Sequence, residues 1–255
     1  MSSVSLTIKN NMAIVTLQNE TKLNALTMAM LDALNGHLET LEADDKICGL
    51  ILTGTGPKAF CCGADVGEWS QLSPKDFARY WVRRGHRIFD RLARLHLPTI
   101  AALNGHAFGG GLELAGACDM RIMTASATLA LPEAQIGVVP GWSGSQRLSR
   151  LIPEPVVKEM VLFGRRIGAE RALNVGFVTE IVEDVLSAAI NVMGGLAALS
   201  PRSIEVAKAM VHVAVGEDRA AMTEALGGAA IAASDDLKEG VQAFRGKRQA
   251  AFCGR

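Results

Sequence analysis

Three consecutive glycines, Gly109, Gly110 and Gly111, stand between a short apolar run, Thr99 to Leu103, and the helix-like segment Leu112-Glu113-Leu114-Ala115. A backbone that passes from strand through glycine into helix leaves N–H groups unpaired at the helix start, where they attract a negatively charged oxygen. Glu113 follows Gly110 by one helical turn, so its carboxyl can lie beside that opening. Apolar residues flank it, and a carboxylate buried among them is costly unless paired or needed. A second carboxylate, Glu133, ends the next apolar strand on a Pro132-Glu133 corner. An oxyanion site with two carboxylates beside it suits acid/base chemistry on a carbonyl compound. Taken alone, the glycines read first as a close-packing device and Pro-Glu as a solvated corner.

Competing motifs fail on spacing. A dinucleotide fingerprint needs glycine where Leu114 stands, and no Gly-Lys-Ser/Thr occurs. A nucleophile elbow at Gly141-Trp142-Ser143-Gly144-Ser145 lacks its final glycine, and no histidine or aspartate pattern supports it. The five histidines are scattered, which gives metal catalysis no support.

Acidic and basic residues balance at 26 each, which removes the electrostatic argument for nucleic acid or an anionic membrane as partner. Cys48, Cys61, Cys62, Cys118 and Cys253 are odd in number and lack metal-ligand spacing. They fit a reducing compartment, and the adjacent Cys61 and Cys62 read as packing residues. With no secretory or transit leader and no apolar run of membrane-spanning length, a soluble cytoplasmic protein is expected.

Alternating apolar residues from Val4 to Ile8 and Met12 to Leu17, around Asn10-Asn11, predict a hairpin. Thr27 is placed to cap a helix whose apolar face is Met30, Leu31, Leu34, Leu38 and Leu41. Gly49 to Gly54 reads as a strand, and Ser73-Pro74 starts a long helix to about Leu95. Strand and helix alternate to about residue 185, after which four helices follow, reaching Gln249.

Five segments then fall into order: Lys22 to Leu26 (KLNAL), Lys58 to Asp65 (KAFCCGAD), Asn104 to Asp119 (NGHAFGGGLELAGACD), Leu131 to Leu148 (LPEAQIGVVPGWSGSQRL) and Glu239 to Phe252 (EGVQAFRGKRQAAF). Together they resemble the crotonase, or enoyl-CoA hydratase/isomerase, superfamily across essentially the whole chain. The resemblance implies an α/β spiral of repeated ββα units over residues 1–195 and a helical region, 196–255, that builds trimers or hexamers. It implies an acyl-CoA thioester as substrate, with coenzyme A part of that substrate and no separate cofactor. Syn addition of water to a 2-enoyl-CoA is expected, as in fatty acid metabolism. The alternatives are a dehydratase, isomerase or lyase of the same superfamily, or a non-catalytic acyl-CoA-binding subunit.

Carried residue by residue, the acid/base pair falls on Glu113 and Glu133, the backbone oxyanion donors on Cys62 and Gly110, and an amide that helps hold the water on Gly141. Lys22, Gly63, Ala64, Asp65 and Val66 lie in the substrate-binding segments, with Lys247 and Arg248 toward phosphate. Trp142 departs from the small residue usual after Gly141, and Trp69, Tyr80 and Trp81 fall in segments resembling the acyl pocket, as specificity elements or as core.

Overall fold

The computed structural model describes residues 2–217 and 219–255. It divides into two units, Met1–Pro201 and Arg202–Arg255. Among its described residues the first holds the strands β1 (Ser3–Lys9), β2 (Met12–Gln18), β3 (Gly49–Gly54), β4 (Ala59–Cys61), β5 (Thr99–Leu103), β6 (His106–Phe108), β7 (Met120–Met123), β8 (Thr128–Ala130), β9 (Ile167–Gly168) and β10 (Glu180–Ile181).

Asn10 and Asn11 both take positive φ, 51° and 62°, and so close the expected hairpin of β1 and β2. The larger sheet runs β1-β2-β3-β5-β7-β10, parallel from β2 onward. The smaller runs β4-β6-β8-β9. Consecutive strands therefore go to different sheets: β3 then β4, β5 then β6, β7 then β8. Parallel neighbours cannot be joined by tight turns, so helices return the chain after each pair, and the product is the expected spiral of ββα turns. All five residues of β5 are buried, as a strand covered on both faces requires.

Thr27 accepts the Met30 N–H and caps the helix Met28–Glu42, whose Met30, Leu31, Leu34, Leu38 and Leu41 are wholly buried. Ser73 and Pro74 open the next helical segment as expected, but it is not uniform. Phe77–Val82 is a π turn before the regular helix Arg83–Arg94. Such turns cluster at functional sites, and this one carries Trp81 into contact with Trp142, ring centres 5.2 Å apart.

Helix Pro201–Ala214 begins at the end of the first unit; Arg219–Ala232 and Asp235–Arg245 follow in the second. Ser234 caps the last by accepting the Leu237 N–H. That helix stops at Gly246, short of the expected Gln249, and the tail folds back on it: Asp236 accepts the Cys253 and Gly254 amides, and Glu239 pairs with Arg248. Among the described residues no helix is long and apolar enough to cross a membrane.

Candidate active site

Gly109 adopts φ +51° and ψ −127°, outside the reach of an L side chain. Its N–H donates to Ala130 in β8, and its carbonyl accepts the Leu112 and Glu113 amides that begin the helix Gly110–Gly116. Gly111 serves close packing, since a Cβ there would fall 1.9 Å from the Cys61 carbonyl. Gly110 lines a cavity, and its amide, in the first helical turn, has no acceptor within the helix.

A second turn meets it. Leu26 donates to the Gly63 carbonyl at 2.8 Å and accepts the Asp65 N–H at 2.9 Å, a parallel bridge centred on Ala64. In such a bridge the central residue turns its own N–H away from the partner strand. Ala64 lines the same cavity, and its nitrogen lies 3.8 Å from where Gly110 would carry a Cβ. The Cys62 amide, expected as an oxyanion donor, is instead spent on the Leu23 carbonyl at 3.0 Å. Leu23 and Asn24 are both left-handed, φ 53° and 57°, and this kink presents the Leu23 carbonyl to Cys62. The Gly63 and Ala64 amides that follow donate to no backbone carbonyl among the described residues, and that of Ala64 lies nearer Gly110 in the bridge geometry. Cys62 still borders the cavity, with burial pushing its thiol up to about 11.

Two asparagines, Asn24 and Asn104, hold this arrangement. Buried Asn24 donates to the Thr55 and Ala59 carbonyls and accepts the Asn19 N–H; Asn104 donates to Gly56 and Ala59 and accepts the Gly54 N–H. Both therefore fix the loop between β3 and β4, from which Cys62–Asp65 continues. For Asn104 the available signal was a polar residue directly after β5.

Glu113 is only 3% exposed. Its Oε1 accepts the Trp142 amide at 2.8 Å and the Gly144 amide at 2.7 Å. Burial pushes this carboxyl up; the Trp142 and Gly144 amides, the Arg147 charge and the Gly141 amide oppose the shift. Gly141 borders the same cavity as Glu113. Gly144 leaves room for the carboxylate: a Cβ there would lie 2.6 Å from Glu113 Cγ.

Glu133 heads a short 3-10 turn, Glu133–Ile136, and lines the same cavity. Burial, with the like charge of Glu113 adding to it, pushes its carboxyl up to about 7. Oε2 is buried and finds no hydrogen-bond partner among the described residues. Oε1 lies 2.9 Å from the place of a Gly109 Cβ, so that glycine also admits this acid.

The cavity holds about 150 Å³. Trp69, Trp81, Val66 and Gly63 line it, whereas Tyr80 is 63% exposed and takes no part. Trp142 is buried against Trp81 and Phe89, ring centres 5.2 Å in each case. Glycine on both sides makes its slot: a Cβ on Gly85 would meet its Nε1 at 2.3 Å, and one on Gly110 its six-membered ring at 2.8 Å. Trp142 is thus at once core and cavity wall.

Lys22 pairs with Asp65 at 2.5 Å in a separate groove with Thr27 and Glu68, and this pairing holds the Asp65 carboxyl below its usual range. In the second unit Arg248 is committed to Glu239, 2.6 Å away. The cavity thus offers two carboxylates together with the Ala64 and Gly110 amides, which lie outside the backbone ladders. Such a set can steady charge on a carbonyl oxygen and move protons at neighbouring carbons.

The family described as enoyl-CoA hydratase/isomerase matches residues 7–255 of the chain. The mitochondrial enoyl-CoA hydratase of Pongo abelii is 37% identical, over 95% of this chain and 84% of that protein. The short-chain-enoyl-CoA hydratase of Clostridium acetobutylicum is 31% identical, over 98% and 97%. Among solved structures, the enoyl-CoA hydratase from Bacillus anthracis superposes with a TM-score of 0.81 at 33% identity, covering 99% of each chain.

Proposed function

The chain belongs to the enoyl-CoA hydratase/isomerase family, and on that footing we propose that it adds water, in syn geometry, across the double bond of a 2-enoyl-CoA thioester. The observation that carries this is the meeting of Glu113 and Glu133 in one cavity with Ala64 and Gly110. The thioester oxygen accepts the Ala64 and Gly110 N–H groups. Glu113 takes a proton from water as its oxygen bonds to the β-carbon, the electron pair of the double bond moves toward the carbonyl, and Glu133 delivers a proton to the α-carbon. Losing one such amide donor typically costs about 3–4 kcal/mol of barrier. An acid with pKa about 7 still carries its proton near neutrality, as the last step demands. At Glu113 the two amides that grip one oxygen stabilise the ionised form against the burial that pushes this carboxyl up.

The cavity lies below the ~300–1,000 Å³ of most ligand pockets, and rigid Trp142 forms part of its wall. Both support a short acyl group. The five free cysteines support a reducing, cytoplasmic setting. The exposed Ile231, Phe244 and Phe252 of the second unit support assembly through its helices into a trimer or hexamer.

Purified protein mixed with 2-butenoyl-, 2-octenoyl- and cinnamoyl-CoA tests the activity through loss of the conjugated thioester absorbance. We expect turnover to be fastest on 2-butenoyl-CoA and to collapse in Glu113→Gln and Glu133→Gln. Unchanged rates in both variants would remove the acid/base assignment. Silence on all three thioesters would point to a lyase of the same family acting on another acyl-CoA.

A further inference from the structure

Between the two amides that grip Glu113 stands a residue unsuited to its backbone. Ser143 has φ +81° and ψ +9°, a left-handed conformation that strains an L side chain and costs glycine nothing. Its hydroxyl lies 2.9 Å from His86 Nδ1, and His86 Nε2 lies 3.2 Å from Asp90 Oδ2. Asp90 Oδ1 accepts from Arg147 Nη2 at 2.7 Å, and the Arg147 backbone N–H donates to the Ser143 carbonyl at 2.8 Å. The four residues close a ring.

His86 and Asp90 are four residues apart and share one face of the helix Arg83–Arg94. Gly85 and Phe89 of the same helix seat the Trp142 ring. One helix therefore supports both Trp142 and Ser143, from a histidine 57 residues away in the chain.

Serine, histidine and aspartate in this order also describe an acyl-transfer nucleophile. Ser143, however, is 6% exposed and does not border the cavity, whereas Gly141 and Trp142 do. A thioester in that cavity does not meet its hydroxyl.

We propose that Ser143, His86, Asp90 and Arg147 are positioning residues for hydration: their ring holds residue 143 in its left-handed turn, and that turn aims the Trp142 and Gly144 amides at one oxygen of Glu113. The effect on rate rests on Glu113 as the base. Hydration therefore loses rate when the tie is cut, while substrate binding, made elsewhere in the cavity, does not weaken.

Ser143→Gly separates this from a structural role, since glycine relieves the backbone strain while deleting the tie. With 2-butenoyl-CoA, Ser143→Gly and His86→Ala are expected to lose kcat by on the order of tenfold to a hundredfold, with KM within about twofold. Ser143→Gly should melt at or above the wild-type temperature. The combined variant should be no slower than the slower single one, because both cut the same ring. In ¹⁵N-labelled protein, the Trp142 and Gly144 amide protons, downfield through their bonds to a carboxylate, should move upfield in both variants; this reads the grip on Glu113 whether or not hydration is the reaction.

Wild-type kcat with unmoved amide resonances in Ser143→Gly overturns the proposal, as do multiplying losses in the combined variant. Release of CoA from butanoyl-CoA by the wild type, abolished in Ser143→Gly, would make Ser143 a nucleophile and overturn it too. Glu113→Gln, assayed alongside, keeps two failures apart. If it turns over normally, Glu113 is not the base and the amide shifts alone decide the ring; if it is inactive while Ser143→Gly and His86→Ala are normal, only the ring fails.

Discussion

Glu113 and Glu133 face one cavity from scaffolds of opposite kind. Glu113 sits in a helix whose seven residues are all buried, with one oxygen held by two amides from another segment. Glu133 begins a turn whose next residues, Ala134 to Gly137, are exposed, and one of its oxygens has no partner among the described residues. The same side chain is therefore fixed in one place and loosely held in the other. A fixed, hydrogen-bonded carboxylate suits orienting a water; a half-buried, unpartnered one keeps its proton above the usual carboxylate range.

The strongest way to break this contrast is to neutralise the fixed acid. Glu113→Gln should lower kcat for hydration by roughly 10²–10⁴-fold with a small change in KM, measured by steady-state absorbance. Equal KM and kcat losses would mean that Glu113 binds substrate rather than water. Next comes Gly144→Ala, whose methyl group would fall on the Glu113 side chain. It should cost on the order of tenfold to a hundredfold in kcat while leaving the alkaline limb of the pH profile, set by Glu133, where it was.

That limb sharpens the contrast further. With the Glu133 carboxyl at about 7, kcat/KM for hydration should fall as pH rises through about 7, and Glu133→Gln should abolish that dependence in whatever rate survives. Stability follows the same group. Its folded pKa stands above the unfolded value, so its stabilising proton is fully present below about pH 4.5 and lost as pH rises through about 7. Glu133→Gln should thus exceed the wild type in stability at pH 8 by on the order of 1–2 kcal/mol, allowing for its solvent-facing side, and the gap in thermal melts should close near pH 5. The smallest effect is expected at Gly137, φ +73° with open space around it. Gly137→Ala should cost about 1 kcal/mol of stability and change kcat by no more than about twofold.

The chain order made much of this legible. Asn10-Asn11 as a hairpin, Thr27 as a cap and a buried face from Met30 to Leu41 are local events, decided within one turn of backbone. The burial of Glu113 was legible from its apolar flanks. The π turn at Phe77–Val82 was not, because π and α turns draw on the same residue types and the extra residue is settled by what the turn packs against. Nor was the Ser143–His86–Asp90 contact, since nothing in a linear pattern joins residue 86 to residue 143.

By itself, then, the sequence determined that a strand runs through glycines into a buried acidic helix, and that a second acid waits beyond the next strand. Only the tertiary structure decided which amides of the Cys62–Asp65 turn are left unspent. The Leu26 bridge and the left-handed Leu23 consume the amides of Asp65 and Cys62 and leave those of Gly63 and Ala64. Hydrogen-bond register between remote segments is fixed by the contact itself, because each amide can be spent on only one neighbour and the chain does not record which neighbour arrives.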